Sequence, residues 1–209
     1  MSTCSYATMT YTPAQILTVD RFIADYGDDS RYELADRELI DMELTSPHET
    51  VSGKLAMQIG IAITNANYPW FIPRTCLIQP FVEVATARRP DVVVLDETFL
   101  VNEPRWQREP VITLGRSIKL VVEVVSTNWE TDYARKVEEY ALFGIPEYWI
   151  VDYRGLGGTR FISKPKQPTF TVCLLDGEEY CQQQYRLGEK ISSGLLPNLQ
   201  LRLDDVLPH

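Results

Sequence analysis

The stretch 118–125, IKLVVEVV, constrains the fold more than any other part of the chain. It is a nearly continuous β-branched run without alternation of apolar and polar positions. A strand half-exposed to water alternates, whereas a strand covered on both faces does not. The run therefore reads as the central strand of a sheet with other elements packed on both sides. The next thirty residues fit that reading. Thr127-x-x-Glu130 is a capping box at the start of a helix. Gly144 suits the position after the helix's last turn, with Pro146 just beyond. EYWIVDY at 147–153 is then a further strand. Strand, helix and strand within 36 residues make a βαβ unit, with a right-handed crossover expected.

Glu123 is the residue in this run that does not suit a core. An ionised carboxylate covered on both sides is costly unless it is paired or binds a metal. It either faces an open cleft, pairs with a core arginine, or carries chemistry. Asp91 opens the strand DVVVLDE after Pro90. Asp is depleted in strands, so its position is either a solvated strand end or a functional placement. Lys136 lies on the helix that leaves the Glu123 strand, with Asp132 four residues before it on the same face. By itself that spacing describes an ordinary i,i+4 surface ion pair.

Taken together these three residues point to chemistry. Two carboxylates on adjacent strands can hold one Mg²⁺ or Mn²⁺, a hard cation that takes oxygen ligands and keeps several waters. Such an ion acidifies water and polarises a phosphoryl oxygen. A nearby ammonium can orient the attacking water and offset charge building on the phosphate.

The rest of the chain reads as one domain, 1–209, without repeats, low-complexity tracts or a long linker. Residues 13–27 suggest a short helix, with Thr18 as cap and Phe22, Ile23 and Tyr26 on its apolar side. RYELADRELIDM at 31–42 alternates around Ala35-Asp36-Arg37, which predicts a hairpin. Ser46-Pro47-His48-Glu49 predicts a helix start with Ser46 as cap. Val51, Leu55, Ile59 and Ile63 then recur at helical spacing, with an end near Asn67. Strands are expected at 76–84 and 91–96, and a long polar connection at 97–117. After Gly155 the pattern is of hairpin strands at 159–163, 169–175 and 179–187.

Composition narrows the function classes. With 44% hydrophobic and 23% charged residues, the chain can bury a core without staples. No apolar run reaches the length that spans a membrane, and the polar N-terminus does not read as a secretory signal. Cys4, Cys76, Cys173 and Cys181 form no C-x-x-C pair, which argues against zinc and for free thiols in a reducing cytoplasm. The net charge of −9 argues against coating nucleic acid by bulk charge. The surplus is uneven. Residues 1–50 hold ten acidic and three basic residues, whereas 74–119 hold six acidic and seven basic ones.

RPDVVVLDE, then LVVEVVSTNWETDYARKVEEYALFGIPEYWIVD, resembles the Uma-type family of restriction endonuclease-like proteins, a branch of the PD-(D/E)XK nuclease superfamily. RYELADREL and SPHE resemble that family's N-terminal block, and YRLGEKISSGLLPNLQLRLDDVL its C-terminal block. The resemblance implies an α/β (α+β) fold: a restriction-endonuclease-like core with a central mixed sheet flanked by helices, and extra hairpins at both ends. It implies Asp91 and Glu123 as metal ligands and Lys136 as the catalytic lysine, with Asp132 supporting it. In the superfamily the lysine usually stands two residues after the acid; here that residue is Val125, and the helix beyond supplies the lysine instead. Glu33 and His48 match further family positions, as an additional acid and as a contact for phosphate or water. Ser126-Thr127 replaces the usual Ser-Pro, and Arg37 the usual turn glycine.

Motifs and resemblance together imply a metal-dependent endonuclease acting on DNA, and the resemblance alone implies a homodimer. Arg105 and Arg108 in the 97–117 connection are its candidate DNA contacts. Two other readings compete with it. One is a catalytically quiet nuclease fold serving as a regulatory or protein-interaction module, which the net charge favours. The other is a hydrolase of small phosphodiesters on the same scaffold.

Overall fold

The computed structural model of the protein describes residues 17–42, 44–81 and 84–208. The chain begins with α1 (Val19–Tyr26), capped by the Thr18 side chain, which accepts from the Arg21 N–H at 3.2 Å. The hairpin of β1 (Tyr32–Ala35) and β2 (Glu38–Asp41) comes next. Asp36 and Arg37 both take positive φ in its two-residue turn, so an arginine stands where glycine is favoured. Then come α2 (Ser46–Ala66), β3 (Trp70–Phe71), β4 (Leu77–Ile78), β5 (Val92–Asp96), α3 (Glu97–Leu100) and β6 (Val111–Ile112). A 3₁₀ turn at Gly115–Ser117 leads into β7 (Ile118–Val124). A π-helical segment, Thr131–Arg135, runs into α4 (Lys136–Leu142), and β8 (Glu147–Asp152), α5 (Thr159–Ile162), β9 (Thr169–Asp176), β10 (Glu179–Tyr185) and α6 (Leu203–Val206) complete the chain.

Six strands form the central sheet in the order β10-β9-β8-β7-β5-β3. Only β7 and β8 run parallel; the other neighbours are antiparallel, so the sheet is mixed. The βαβ unit expected around 118–153 is its centre. Both faces of β7 are covered, which is why its sequence does not alternate. Val122 and Val124 pack with Val51, Leu55 and Ile59 of α2 on one side. Val121 and Val125 pack with Tyr133, Tyr140 and Ile145 on the other. Burial of each such side chain contributes roughly 1.5–3 kcal/mol. A smaller cluster joins Val19 and Phe22 of α1 to Leu34, Leu77 and Ala87. Isolated bridges Leu34–Ala87 and Ile78–Arg88 tie the first hairpin and β4 to the segment before β5.

Several expectations need correction. The cap of α2 is Thr45, which makes no side-chain capping bond, and Ser46 is the first helical residue. The strand expected at 76–84 is only two residues long; it pairs with β6 and not with the main sheet. Val82 and Glu83 of that stretch lie outside the described residues, as do 13–16 of the first predicted helix and Cys4. The 97–117 connection is no open loop. It holds α3, β6 and the 3₁₀ turn, and buried Glu103 fastens it by accepting from Thr113 N, Thr113 Oγ1, Leu114 N and Ser117 Oγ. Residues 159–162 are a helical turn and not a strand, a distinction that so short an apolar pattern cannot make. Cys76 and Cys173 are buried free thiols, and Cys181 is an exposed one. Among the described residues no helix is long and apolar enough to cross a membrane.

Candidate active site

Register brings the two strand carboxylates together. In the antiparallel pairing of β5 and β7, Val92 lies opposite Val122. One step further, Asp91 falls beside Glu123. Strand parity then turns Glu123 to the same face as Val121 and Val125, the face that α4 covers. Asp91 is anchored there: its Oδ2 accepts from the Val124 N–H at 2.6 Å.

The π-helical segment delivers the lysine. Its i→i+5 bond runs from the Lys136 N–H to the Thr131 carbonyl. Such π-turns widen a helix and frequently mark functional sites. Lys136 is 5% exposed, so the surface ion-pair reading of Lys136 and Asp132 is replaced by a buried one. Its Nζ lies 3.0 Å from Glu123 Oε2 and 3.2 Å from Asp132 Oδ1. Tyr140, one turn on, donates its hydroxyl to Glu123 Oε1 at 2.7 Å.

His48 enters from the first turn of α2. Its Nε2 donates to the Val124 carbonyl at 2.9 Å and lies 3.4 Å from Asp91 Oδ2. Its Nδ1 is buried without a hydrogen-bond partner. Glu33, on β1, is also buried. Arg88 Nη1 donates to its Oε1 at 2.8 Å, and the Arg89 backbone N–H to its Oε2 at 3.3 Å. Arg88 in turn grips Glu139 of α4 through Nε and Nη2, each at 2.8 Å. The first hairpin is thereby tied to the helix that carries Lys136.

The electrostatics arise from this crowding. Burial pushes Glu123 up, Lys136 opposes, and Asp91, Asp132 and Glu33 push further, so its carboxyl reaches about 8. Burial also raises Asp132 against the pull of Lys136. Burial works against charge on Lys136, but Glu123, Glu33 and Asp132 together carry it well above its usual value. Burial would raise Glu33, yet Lys136 and Arg88 bring it below the usual range. For His48, burial opposes the charged form, but the Asp91 contact and the Val124 carbonyl raise it to about 9.

Asp91, Glu123, Lys136, Asp132, Glu33 and His48 all line one opening. The structure does not bring Arg105 and Arg108 to it. Arg105 is held by Asp20 at 2.9 Å and Glu109 at 2.6 Å, and Arg108 is exposed elsewhere on the same connection. Sequence reasoning missed Tyr140 and Arg88. Tyr140 was findable, since it stands four residues after Lys136 and shares its face. Arg88 gave no signal, because an arginine just before Arg89-Pro90 reads as a loop residue. Among the described residues, no group of three or more His, Cys, Asp or Glu side chains is arranged to hold a metal ion. Asp91 and Glu123 offer two carboxylates, and one oxygen of Glu123 faces Lys136.

No curated protein matches this sequence. Among solved structures, a nuclease from Anabaena variabilis ATCC 29413, described as putative and as belonging to DUF820, superposes with a TM-score of 0.65. The match covers 91% of this chain and 97% of that one, at 12% sequence identity, and so speaks for the fold: a central mixed sheet flanked by helices. The Uma2 family model, described as "Putative restriction endonuclease", matches residues 19–204, nearly the whole chain, and the chain belongs to that family.

Proposed function

We propose that the protein hydrolyses phosphodiester bonds of DNA, with a divalent cation held by Asp91 and Glu123 and with Lys136 beside them. The observation that carries this reading is the buried Lys136 ammonium, 3.0 Å from Glu123, at an opening that Asp91 and His48 also line. The donor set fits Mg²⁺ or Mn²⁺. Asp91 Oδ2 and the Val124 carbonyl already converge on one nitrogen, His48 Nε2, at 3.4 and 2.9 Å. Two carboxylates and a carbonyl are hard oxygen donors, and such ions complete their shell with water. Burial first, then Asp91, Asp132 and Glu33, raise the Glu123 carboxyl, and a cation beside it would favour its charged form. When bound, the cation supplies Lewis-acid polarisation of the phosphoryl group and acidifies water.

The surroundings of the other side chains support the remaining roles. Lys136 keeps its proton, so it acts as a hydrogen-bond donor and a fixed positive charge toward phosphate and not as a base. Asp132 is the second carboxylate on the ammonium, 3.2 Å from Nζ. The Tyr140 hydroxyl fixes one oxygen of Glu123. His48, with its Nε2 proton on the Val124 carbonyl and beside Asp91, holds that end of the opening in place and brings positive charge to it. Glu33 acts through Arg88 as a positioning residue.

The test is Mg²⁺- and Mn²⁺-dependent cleavage of linear, supercoiled and single-stranded DNA by the wild type, Lys136→Ala and Asp91→Ala. Loss of Lys136 is expected to slow cutting about 10²- to 10³-fold. Asp91→Ala is expected also to remove any rise of melting temperature caused by metal. Equal cutting by Lys136→Ala would overturn the assignment. The regulatory-module reading is favoured by the net charge of −9; it wins if metal neither stabilises the fold nor supports cutting of any substrate. Cleavage of a model diester without cleavage of DNA would point to small phosphodiesters.

A further inference from the structure

We propose that a nucleic-acid strand crosses the site along a track that runs from Arg74, past Asp91 and His48, to Arg154. This rests on the nuclease reading and adds where the substrate backbone lies. Three openings in the surface share walls. The widest, with a cavity volume of about 680 Å³, is lined by Arg74 and Arg89 and ends at Asp91. The site opening shares Asp91, Met42 and Leu44 with it. A further opening shares His48 and Ser126 with the site and is lined at its other side by Arg154. The candidate reacting groups thus line the middle one of three adjoining openings, and arginines line the two outer ones.

The charges on this path are free to meet phosphate. Arg74 and Arg154 are exposed, and neither has an ion pair or hydrogen bond among the described residues. Arg89 is buried, yet its guanidinium donates to neutral acceptors: the Tyr32 carbonyl, Thr75 Oγ1 and the Gly27 carbonyl. A guanidinium held by neutral oxygens keeps its charge uncompensated by a bonded carboxylate, and it faces the wide opening. Asp28 and Glu49 line the same opening and oppose it. The contacts that position a nucleic-acid backbone go to phosphate oxygens and carry no sequence information. Arginines spaced on both sides of the reacting groups suit that task. Arg105, locked between Asp20 and Glu109, does not.

The experiment measures binding of labelled duplex and single-stranded oligonucleotides over a range of KCl concentrations, with Ca²⁺ in place of Mg²⁺. It compares the wild type with Arg74→Ala, Arg154→Ala, the double variant and Arg108→Ala, with Lys190→Ala as an exposed control. Cleavage in Mn²⁺ is measured in parallel. Each phosphate contact contributes about 0.9 to the salt slope on duplex, which is roughly eightfold in affinity at 0.1 M salt. Arg74→Ala and Arg154→Ala are each expected to lose about that much and to flatten the slope by about 0.9, while Lys190→Ala binds as the wild type. If the wild type binds and cuts but both single variants keep its affinity and slope, the track is wrong and the nuclease reading stands. Loss in Arg108→Ala alone would overturn it in favour of the 97–117 connection. If the wild type neither binds nor cuts any DNA, the track and the nuclease reading fall together.

Discussion

Replacing Arg88 with methionine tests whether the buried ion network holds the active-site helix in place. Arg88 is 1% exposed and makes three hydrogen bonds of 2.8 Å to Glu33 and Glu139. Methionine fills similar apolar space but leaves both acids without their shared partner. Removing one member of a buried pair costs about 3–5 kcal/mol, chiefly because the other charge stays desolvated. Here the low end applies, because neither acid is wholly stranded. Glu139 keeps Arg135 at 2.6 Å, and Glu33 keeps the Arg89 N–H at 3.3 Å. A loss of about 3 kcal/mol in a chain of this length lowers the melting temperature by about 6–12 °C. Urea unfolding followed by tryptophan fluorescence gives the free energy directly. Two companions isolate the cause. Arg31→Met removes a pair with Asp29 of similar length, 2.7 Å, but with side chains 62% and 34% exposed, and should leave stability unchanged. Adding Glu33→Gln and Glu139→Gln to Arg88→Met should recover much of the loss, since the stranded charges are then gone. A loss below about 1 kcal/mol in Arg88→Met, or no recovery in the triple variant, would refute the reasoning.

Two further outcomes rest on packing and protonation. A Cβ at Gly115 would stand 1.8 Å from the Phe143 carbonyl oxygen, so Gly115→Ala must displace the turn before β7 or the end of α4; a loss of at least about 1–3 kcal/mol is expected in urea unfolding, and wild-type stability would mean the two segments separate freely. Glu147 is fully buried at the β8 end, where burial raises its carboxyl although Trp149 Nε1 and the Leu195 N–H donate to it. Its folded state therefore holds the proton more tightly than the unfolded chain, and stability is lost as pH rises from about 4 through the folded value. The melting temperature of Glu147→Gln relative to wild type should climb over that range, and a flat difference would count against the shift.

The centre of the fold was legible because its signals are local. The run at 118–125, the glycine and proline after α4 and the apolar strand at 147–153 each reflect short-range chemistry. Asp91 and Glu123 were legible for the opposite reason: each contradicts its surroundings, a carboxylate opening a strand and another inside a core run. The features that stayed hidden depend on partners far away in sequence. β4 exists only because β6, more than thirty residues on, pairs with it. Thr45 and Ser46 both offer a hydroxyl before Pro47, and the chain path alone decides that the helix begins at Ser46, with no hydroxyl of Thr45 capping it. Nothing near Arg88 announces that Glu33 and Glu139 will meet at its guanidinium. The π-turn before Lys136 is equally silent, though it sets where the ammonium points.

Net charge describes the surface only on average, and the pairing pattern shows how unevenly it is spread. Much of the acid in the first fifty residues is engaged locally or by the core. Asp25 pairs with Arg21, Asp29 with Arg31, Asp36 with Arg135, and Glu33 with Arg88. Charges neutralised within a few ångströms add little field beyond a Debye length of about 8–10 Å. Arg74 and Arg154 have no such partner among the described residues, so their fields project into the openings beside Asp91 and His48. A chain of net charge −9 can therefore still carry unpaired arginines beside one set of openings, as the proposed track requires. Such a surface disfavours non-specific coating of nucleic acid and leaves binding to depend on the few contacts that the path supplies.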